Sequence, residues 1–152
     1  MKLTERIDQD ITQAAKDQDQ PKLSALRMLK NSVNNLAKDA GKEAAGLADE
    51  EIVKIIQKDI KQRRESAQSY RQGQREELAS REEEDIKIFS QYLPKQLSQE
   101  ELGKIIDQAI SETGASSVAD MGRVMGLLNQ KVSGQADMGQ VSQLVKDKLE
   151  KK

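Results

Sequence analysis

Apolar residues recur every three or four positions along most of this chain, and the places where they stop divide it. Leu3, Ile7, Ile11 and Ala14 define one face of a first amphipathic helix that runs out near residues 17–19. Pro21 suits the first turn of a second helix, where no backbone N–H is needed. Leu23, Leu26, Leu29, Val33 and Leu36 carry that stripe to about Lys38, and Gly41 and Gly46 mark a loop. A third helix opens near Asp49, with Glu50 and Glu51 at its positive end and Ile52, Ile55, Ile56 and Ile60 as its core face.

After Ile60 the pattern fails. Over residues 61–85 the only sizeable apolar side chains are Tyr70 and Leu78. A helix that is polar all round is exposed or held by charge pairs. The charges here are sorted: residues 54–75 carry seven basic and two acidic side chains, and residues 76–85 carry six acidic and one basic. With a turn at Gly73, the two arms form an antiparallel hairpin in which Arg64 falls opposite Glu82, Arg63 opposite Glu83 and Lys61 opposite Asp85. Its tip stands off the core by about 18 Å, at ~1.5 Å per residue. A single long helix kinked at Gly73 is the alternative, because one interior glycine costs only about 1 kcal/mol.

Apolar residues return at Ile86, Phe89, Tyr92 and Leu93, and Pro94 stops the helix. After a short linker, residues 95–97, Ser98-Gln99-Glu100-Glu101 reads as a capping box. Leu102, Ile105, Ile106, Ala109 and Ile110 follow as a clean stripe that ends at Gly114. A phrase then occurs twice, Ala119-Asp120-Met121-Gly122-Arg123-Val124 and Ala136-Asp137-Met138-Gly139-Gln140-Val141. Each copy reads as an Asp N-cap followed by helical spacing. The core faces are Val124, Met125, Leu128 and Val132, then Val141, Leu144, Val145 and Leu149. The expected class is all-α, with an N-terminal helical bundle bearing a projecting helical hairpin (residues 1–93) and a small C-terminal three-helix domain (residues 96–152).

Composition narrows the chemistry. The 152 residues contain no His and no Cys, and aromatics make up 2%. Imidazole acid–base catalysis, thiol nucleophiles, disulfides and Cys-rich zinc sites are therefore excluded together. No Gly-x-Ser-x-Gly elbow is present, and only a Ser-Lys arrangement remains open. No cofactor and no metal are expected. The N-terminal residues lack the apolar run of a signal peptide, and no stretch approaches the roughly 18 apolar residues of a membrane span, so a cytoplasmic location is expected. A net charge of -1 does not mark a protein built mainly to hold nucleic acid.

Four features could carry function. The run Glu82-Glu83-Glu84-Asp85 spreads its carboxylates around a helix, so an Arg-paired surface explains it better than a cation site. The basic set Lys54, Lys58, Lys61, Arg63, Arg64, Arg71 and Arg75 could follow a phosphate backbone. The scarcity of aromatics argues against base stacking, which leaves the shape and phosphates of a structured RNA. Gly122 and Gly126 flatten one side of a helix, for which close packing is the ordinary reason. Residues 131–137 could offer backbone N–H groups to a phosphate, but Asp137 would repel it, and a turn with an N-cap is the simpler account.

Together, Tyr92-Leu93-Pro94-Lys95-Gln96-Leu97-Ser98, Asp120-Met121-Gly122-Arg123-Val124-Met125-Gly126, Lys131, Gly134, Ala136-Asp137 and Val145-Lys146 resemble the GatB/YqeY tail domain. Leu23-Ser24-Ala25-Leu26-Arg27-Met28-Leu29 and Ile60-Lys61-Gln62-Arg63-Arg64-Glu65-Ser66 resemble the stand-alone YqeY-like proteins, so the resemblance covers nearly the whole chain. It implies kinship with the C-terminal tail of the GatB component of the aspartyl/glutamyl-tRNA amidotransferase, where the tail engages tRNA and other parts do the chemistry. On that footing the expected function is a non-catalytic module associated with tRNA or with a tRNA-modifying or aminoacylation enzyme, with no membrane partner. Arg63, Arg64, Arg123 and Lys131 are the expected RNA-binding residues, and Gly122, Gly134 and Asp137 are expected to shape the tail surface. A protein-interaction adaptor that binds no RNA is the rival reading. By association alone, the resemblance also carries the label of a carbon–nitrogen ligase with glutamine as amido-N-donor.

Overall fold

In the computed structural model, which describes residues 1–151, the chain is all-helical, with seven α-helices and no strand among the described residues. Contacts group it into two compact units, residues 1–93 and 94–152.

The first unit contains α1 (Leu3–Lys16), α2 (Gln20–Asp39), α3 (Asp49–Gln72) and α4 (Glu76–Ser90). The expected stripes form its core: Ile7, Leu26, Leu29, Val33, Ile52, Ile56 and Phe89 are fully buried. The loop after α2 does more than connect. A short 3₁₀ turn, Ala44–Gly46, drives Leu47 into the same core, an anchor that no periodic pattern marks. The starts of α2 and α3 are closed locally. Asp19 accepts from the Lys22 N–H at 3.2 Å, and the Glu51 carboxylate accepts from the Ala48 N–H at 2.8 Å.

α3 and α4 form the hairpin, so the kinked-helix alternative is ruled out. The inward face of the hairpin stem is buried and residues 71–77 are exposed on every side. The reversal differs from expectation in one respect. Gly73 has φ -85°, which any residue adopts, whereas Gln74 has φ 60° and takes the left-handed position. The Arg75 N–H reaches the Tyr70 carbonyl at 2.7 Å and the Gln74 N–H reaches the Arg71 carbonyl at 3.1 Å, the double closure of a Schellman ending. α4 ends at Ser90, three residues short of Leu93, the last position before the stop expected at Pro94. The chain tightens there, with the Tyr92 N–H bonding to the Phe89 carbonyl at 3.2 Å and the Leu93 N–H to the Ser90 carbonyl at 3.2 Å. The residue before a proline is pushed out of the α region, so the last turn cannot continue.

Tyr92 then locks α4 to α1. Its hydroxyl donates to Asp10 Oδ2 at 2.5 Å, and the Arg6 guanidinium lies 4.7 Å from its ring centroid and donates to the Gln91 carbonyl at 2.9 Å. Burial, reinforced by the bond to Asp10, pushes the Tyr92 hydroxyl well above its ordinary range, so it stays a donor.

The second unit contains α5 (Gln99–Thr113), a 3₁₀ turn (Val118–Asp120), α6 (Met121–Lys131) and α7 (Met138–Glu150). Its core is aliphatic throughout, built on Leu102, Ile106, Val124, Leu128, Val132, Val141 and Val145. Ser98 caps α5 as expected, accepting from the Glu101 N–H at 3.1 Å. The segment read as a linker is tied in: the Leu97 N–H donates to the Gln135 carbonyl at 2.9 Å, and Gln96 Nε2 donates to the Gly134 carbonyl at 2.8 Å.

The hairpin turn gives a paired prediction. Gln74→Gly removes left-handed strain and raises stability by about 0.5–1 kcal/mol. Gly73→Ala is tolerated, because the added Cβ meets only ordinary contacts at 3.6 Å. Urea denaturation of both variants checks this; a loss in Gln74→Gly contradicts the turn geometry.

Candidate nucleic-acid interface

The structure separates the basic residues of α3 into those engaged in holding the hairpin and those facing solvent. Arg63 is engaged. Its Nη1 donates to Asp85 Oδ2 at 2.8 Å and to Glu82 Oε2 at 3.1 Å, and its guanidinium lies 4.7 Å from the Phe89 ring centroid. Its side chain is 17% exposed. Burial raises the Asp85 carboxyl above its usual range, and the charge of Arg63 opposes that shift. Arg71 grips the tip, bonding Glu76 at 3.1 Å and pairing with Glu83, whose carboxyl it holds below the usual range.

These pairs correct the expected register. Arg63 meets Glu82 and Asp85 rather than Glu83, Glu83 goes to Arg71, and among the described residues neither Arg64 nor Lys61 pairs across the hairpin. The reason is rotational. Residues three or four apart share a helix face, so 82 and 85 point together toward a single Arg on α3. Counting outward from the turn aligns positions along the axis and ignores the direction each side chain takes.

Lys54, Lys58, Lys61 and Arg64 are exposed and have no carboxylate partner among the described residues. Their spacing runs them along α3 for about 15 Å at ~1.5 Å per residue. No aromatic joins them: Phe89 and Tyr92 are buried, and Tyr70 falls on the far side of α3 from the lysines. This stripe can meet phosphates and cannot stack bases.

In the second unit, the expected residues take different roles. Arg123 donates to Asp120 Oδ1 at 2.8 Å and to the Thr113 carbonyl at 3.3 Å, yet its side chain is 62% exposed. Lys131 pairs with Glu112 at 3.1 Å. Asp137 caps α7, accepting from the Gly139 N–H at 3.0 Å. Gly134, at φ 78°, turns the chain between α6 and α7. The twin phrase hides a difference here. Asp120 does not cap α6 with its side chain; its carboxylate accepts instead from the Ser116 N–H at 2.9 Å and the Ser117 N–H at 3.3 Å. Those bonds and Arg123 bring its carboxyl down to about 2. Gly122 and Gly126 do not pack against anything: a Cβ at either position would meet open space. They lay bare a strip of α6 backbone.

Among the described residues no Asp, Glu, His or Cys cluster is arranged to hold a metal ion, and no helix is long and apolar enough to cross a membrane. The serine hydroxyls seen donating reach Asp59 at 2.6 Å, the Ile86 carbonyl at 2.7 Å and Asp120 at 3.4 Å, none of them a lysine.

A family model described as Yqey-like protein matches residues 4–149. The chain is also 25% identical over 136 residues to "Altered inheritance of mitochondria protein 41, mitochondrial" of Pyrenophora tritici-repentis (strain Pt-1C-BFP), covering 86% of this chain and 71% of that one.

Two outcomes test these assignments. Arg63→Gln strands Glu82 and Asp85 and destabilises the protein by about 1.5–3 kcal/mol, whereas Arg64→Gln stays within ~0.5 kcal/mol. Thermal unfolding distinguishes them. Asp120 has a lowered folded pKa, so its contribution is present above the ordinary 3.8 and is lost as pH falls toward about 2. Asp120→Asn flattens the acid limb of stability in that window, and an unchanged limb would count against the bonds to Ser116 and Ser117.

Proposed function

The chain belongs to the YqeY-like protein family, and from that premise we propose that it is a non-catalytic helical module that binds tRNA, with α3 as the principal contact. The observation that supports this most is the stripe of Lys54, Lys58, Lys61 and Arg64, four cations left without carboxylates, among the described residues, in a hairpin that pairs Arg63 and Arg71 closely. Free cations release counterions on meeting phosphates; cations already in ion pairs must first give up a partner. Arg64 is thus the strongest of the four arginines and lysines expected from the sequence. Arg123, well exposed despite its bond to Asp120, is the tail's best contact, beside the bare backbone at Gly122 and Gly126. Arg63 and Lys131 serve the reading mainly by holding the scaffold.

An adaptor that holds a tRNA-handling enzyme without touching RNA is the second reading, favoured by the near-neutral overall charge. A cytoplasmic location belongs to the same proposal; the fungal relative's name assigns mitochondria to that protein. The ligase label that accompanies the resemblance is tested by glutamine turnover. Turnover by the purified chain that disappears on changing one Ser or Lys would replace the present reading.

The deciding experiment is a tRNA titration between about 50 and 200 mM salt, where phosphate binding weakens steeply. Changing Lys54, Lys58, Lys61 and Arg64 together to Gln lowers the slope of log K against log salt by about 0.7–0.9 per lost contact. Affinity that is flat across salt, or absent at low salt, ends the RNA reading and leaves the adaptor. Gly126→Ala, in contrast, raises fold stability by about 0.5–1 kcal/mol while lowering tRNA affinity.

A further inference from the structure

On one side of the hairpin, between α3 and α4, lies a groove of about 790 Å³ whose lining is mostly apolar. Ala67 is buried in it, Ile86 is half-buried, and Arg64, Gln68, Gln72 and Lys87 are exposed around them. A helix pair that is otherwise polar over this stretch thus opens on an apolar strip. Residues 64–72 run along it for about 12 Å, roughly two helical turns.

The charges around the groove are not balanced. Arg71 is engaged by Glu76 and Glu83. That leaves Arg64, which has no partner among the described residues, on the α3 side, and Lys87, which makes no salt bridge there and only adds its field to Glu83, on the α4 side. With Glu83, the one carboxylate in the lining, held by Arg71, the groove offers an apolar strip with one uncompensated cation on each wall. A duplex nucleic acid would satisfy the cations but has no apolar side chain to insert. The all-helical fold presents no strand edge, among the described residues, for an extended segment to join.

We propose that this groove is a docking site for an amphipathic helix of a partner protein, with apolar residues on one face and carboxylates flanking them. The apolar face covers Ala67 and Ile86, and the carboxylates meet Arg64 and Lys87. The groove shares Arg64 with the proposed tRNA contact, but the other three cations of that stripe, Lys54, Lys58 and Lys61, do not line it, so changing those three to Gln leaves peptide binding intact whether or not tRNA binds.

The test uses the full chain, isotope-labelled for backbone amide spectra, and synthetic helical peptides of about 14 residues, roughly four turns. One peptide carries Leu at helical spacing and Glu on the flanks. A second replaces Leu by Ser, and a third replaces Glu by Lys. The expected result is saturable binding of the Leu/Glu peptide, with shifts centred on Arg64, Ala67, Gln68 and Lys87. Either control peptide should bind at least about tenfold more weakly. Both rim cations are exposed, so Arg64→Glu with Lys87→Glu should fold normally and switch preference to the Lys peptide. Equal binding of the Ser control, shifts centred elsewhere, or no binding at millimolar peptide would overturn the proposal. So would tRNA-induced shifts at Ala67, Gln68 and Lys87 as large as the peptide's, or concentration-dependent shifts of the same amides without peptide, which would assign the groove to RNA or to a second copy.

Discussion

The N-terminal unit depends on one guanidinium. Arg63 lies against the ring of Phe89, itself fully buried, and holds Glu82 and Asp85 of the facing helix. It stands where the hairpin passes from apolar to polar packing. Below it, Ile52, Ile56 and Ile60 join the core by burial. Beyond it, the buried side chains are only Ala67 and Ala79, and Arg71 closes the tip through two carboxylates. Small buried residues let the helices run close, and charge pairs on two sides set their register. An exposed pair contributes little alone, but a half-buried, doubly bonded arginine against an aromatic face fixes geometry as well as energy.

That economy decides which side chains are available to partners. Carboxylates of α4 neutralise the arginines that point toward it. The cations turned away from it, Lys54, Lys58 and Lys61, are left over, as is Arg64 at the edge of the groove. The same logic leaves the groove uneven in charge, since Arg71 is satisfied by Glu76 and Glu83 while Arg64 and Lys87 are not matched in kind. Two surfaces of different chemistry thus share one helix, a bare cationic stripe and an apolar strip with a basic rim.

The C-terminal unit reaches stability by other means. It has no aromatic residue, and its core is a set of short aliphatic stripes closed by local bonds at the helix ends. Lys131 to Glu112 and Lys148 to Asp107 tie α6 and α7 to α5. The glycines of α6, Gly122 in its first turn and Gly126 in its interior, run against this economy. Helix interiors favour alanine over glycine, and no internal neighbour requires the missing Cβ at Gly122 or Gly126. A partner that approaches the backbone would account for them.

The order of helices, their faces and most of their ends were legible in the residues, because apolar spacing, Pro21, Ser98, Asp137 and Gly114 act within a few positions of themselves. Charge sorting about position 73 also favoured the hairpin, since opposite blocks of that size attract in any register, but only the structure decided it against a helix kinked at Gly73. The tertiary structure alone decided what depends on rotation and on distant neighbours. Arg63 and Arg64 are adjacent in the chain and alike in type, yet one is bound and the other free, because neighbouring helical residues point about 100° apart. Asp120 and Asp137 sit in twin phrases, yet only one caps its helix, because Ser116 and Ser117 compete for the other. Leu47, Tyr92 with Asp10, and the groove beside Ala67 each need two segments brought together by the fold, and no pattern within one segment carries that information.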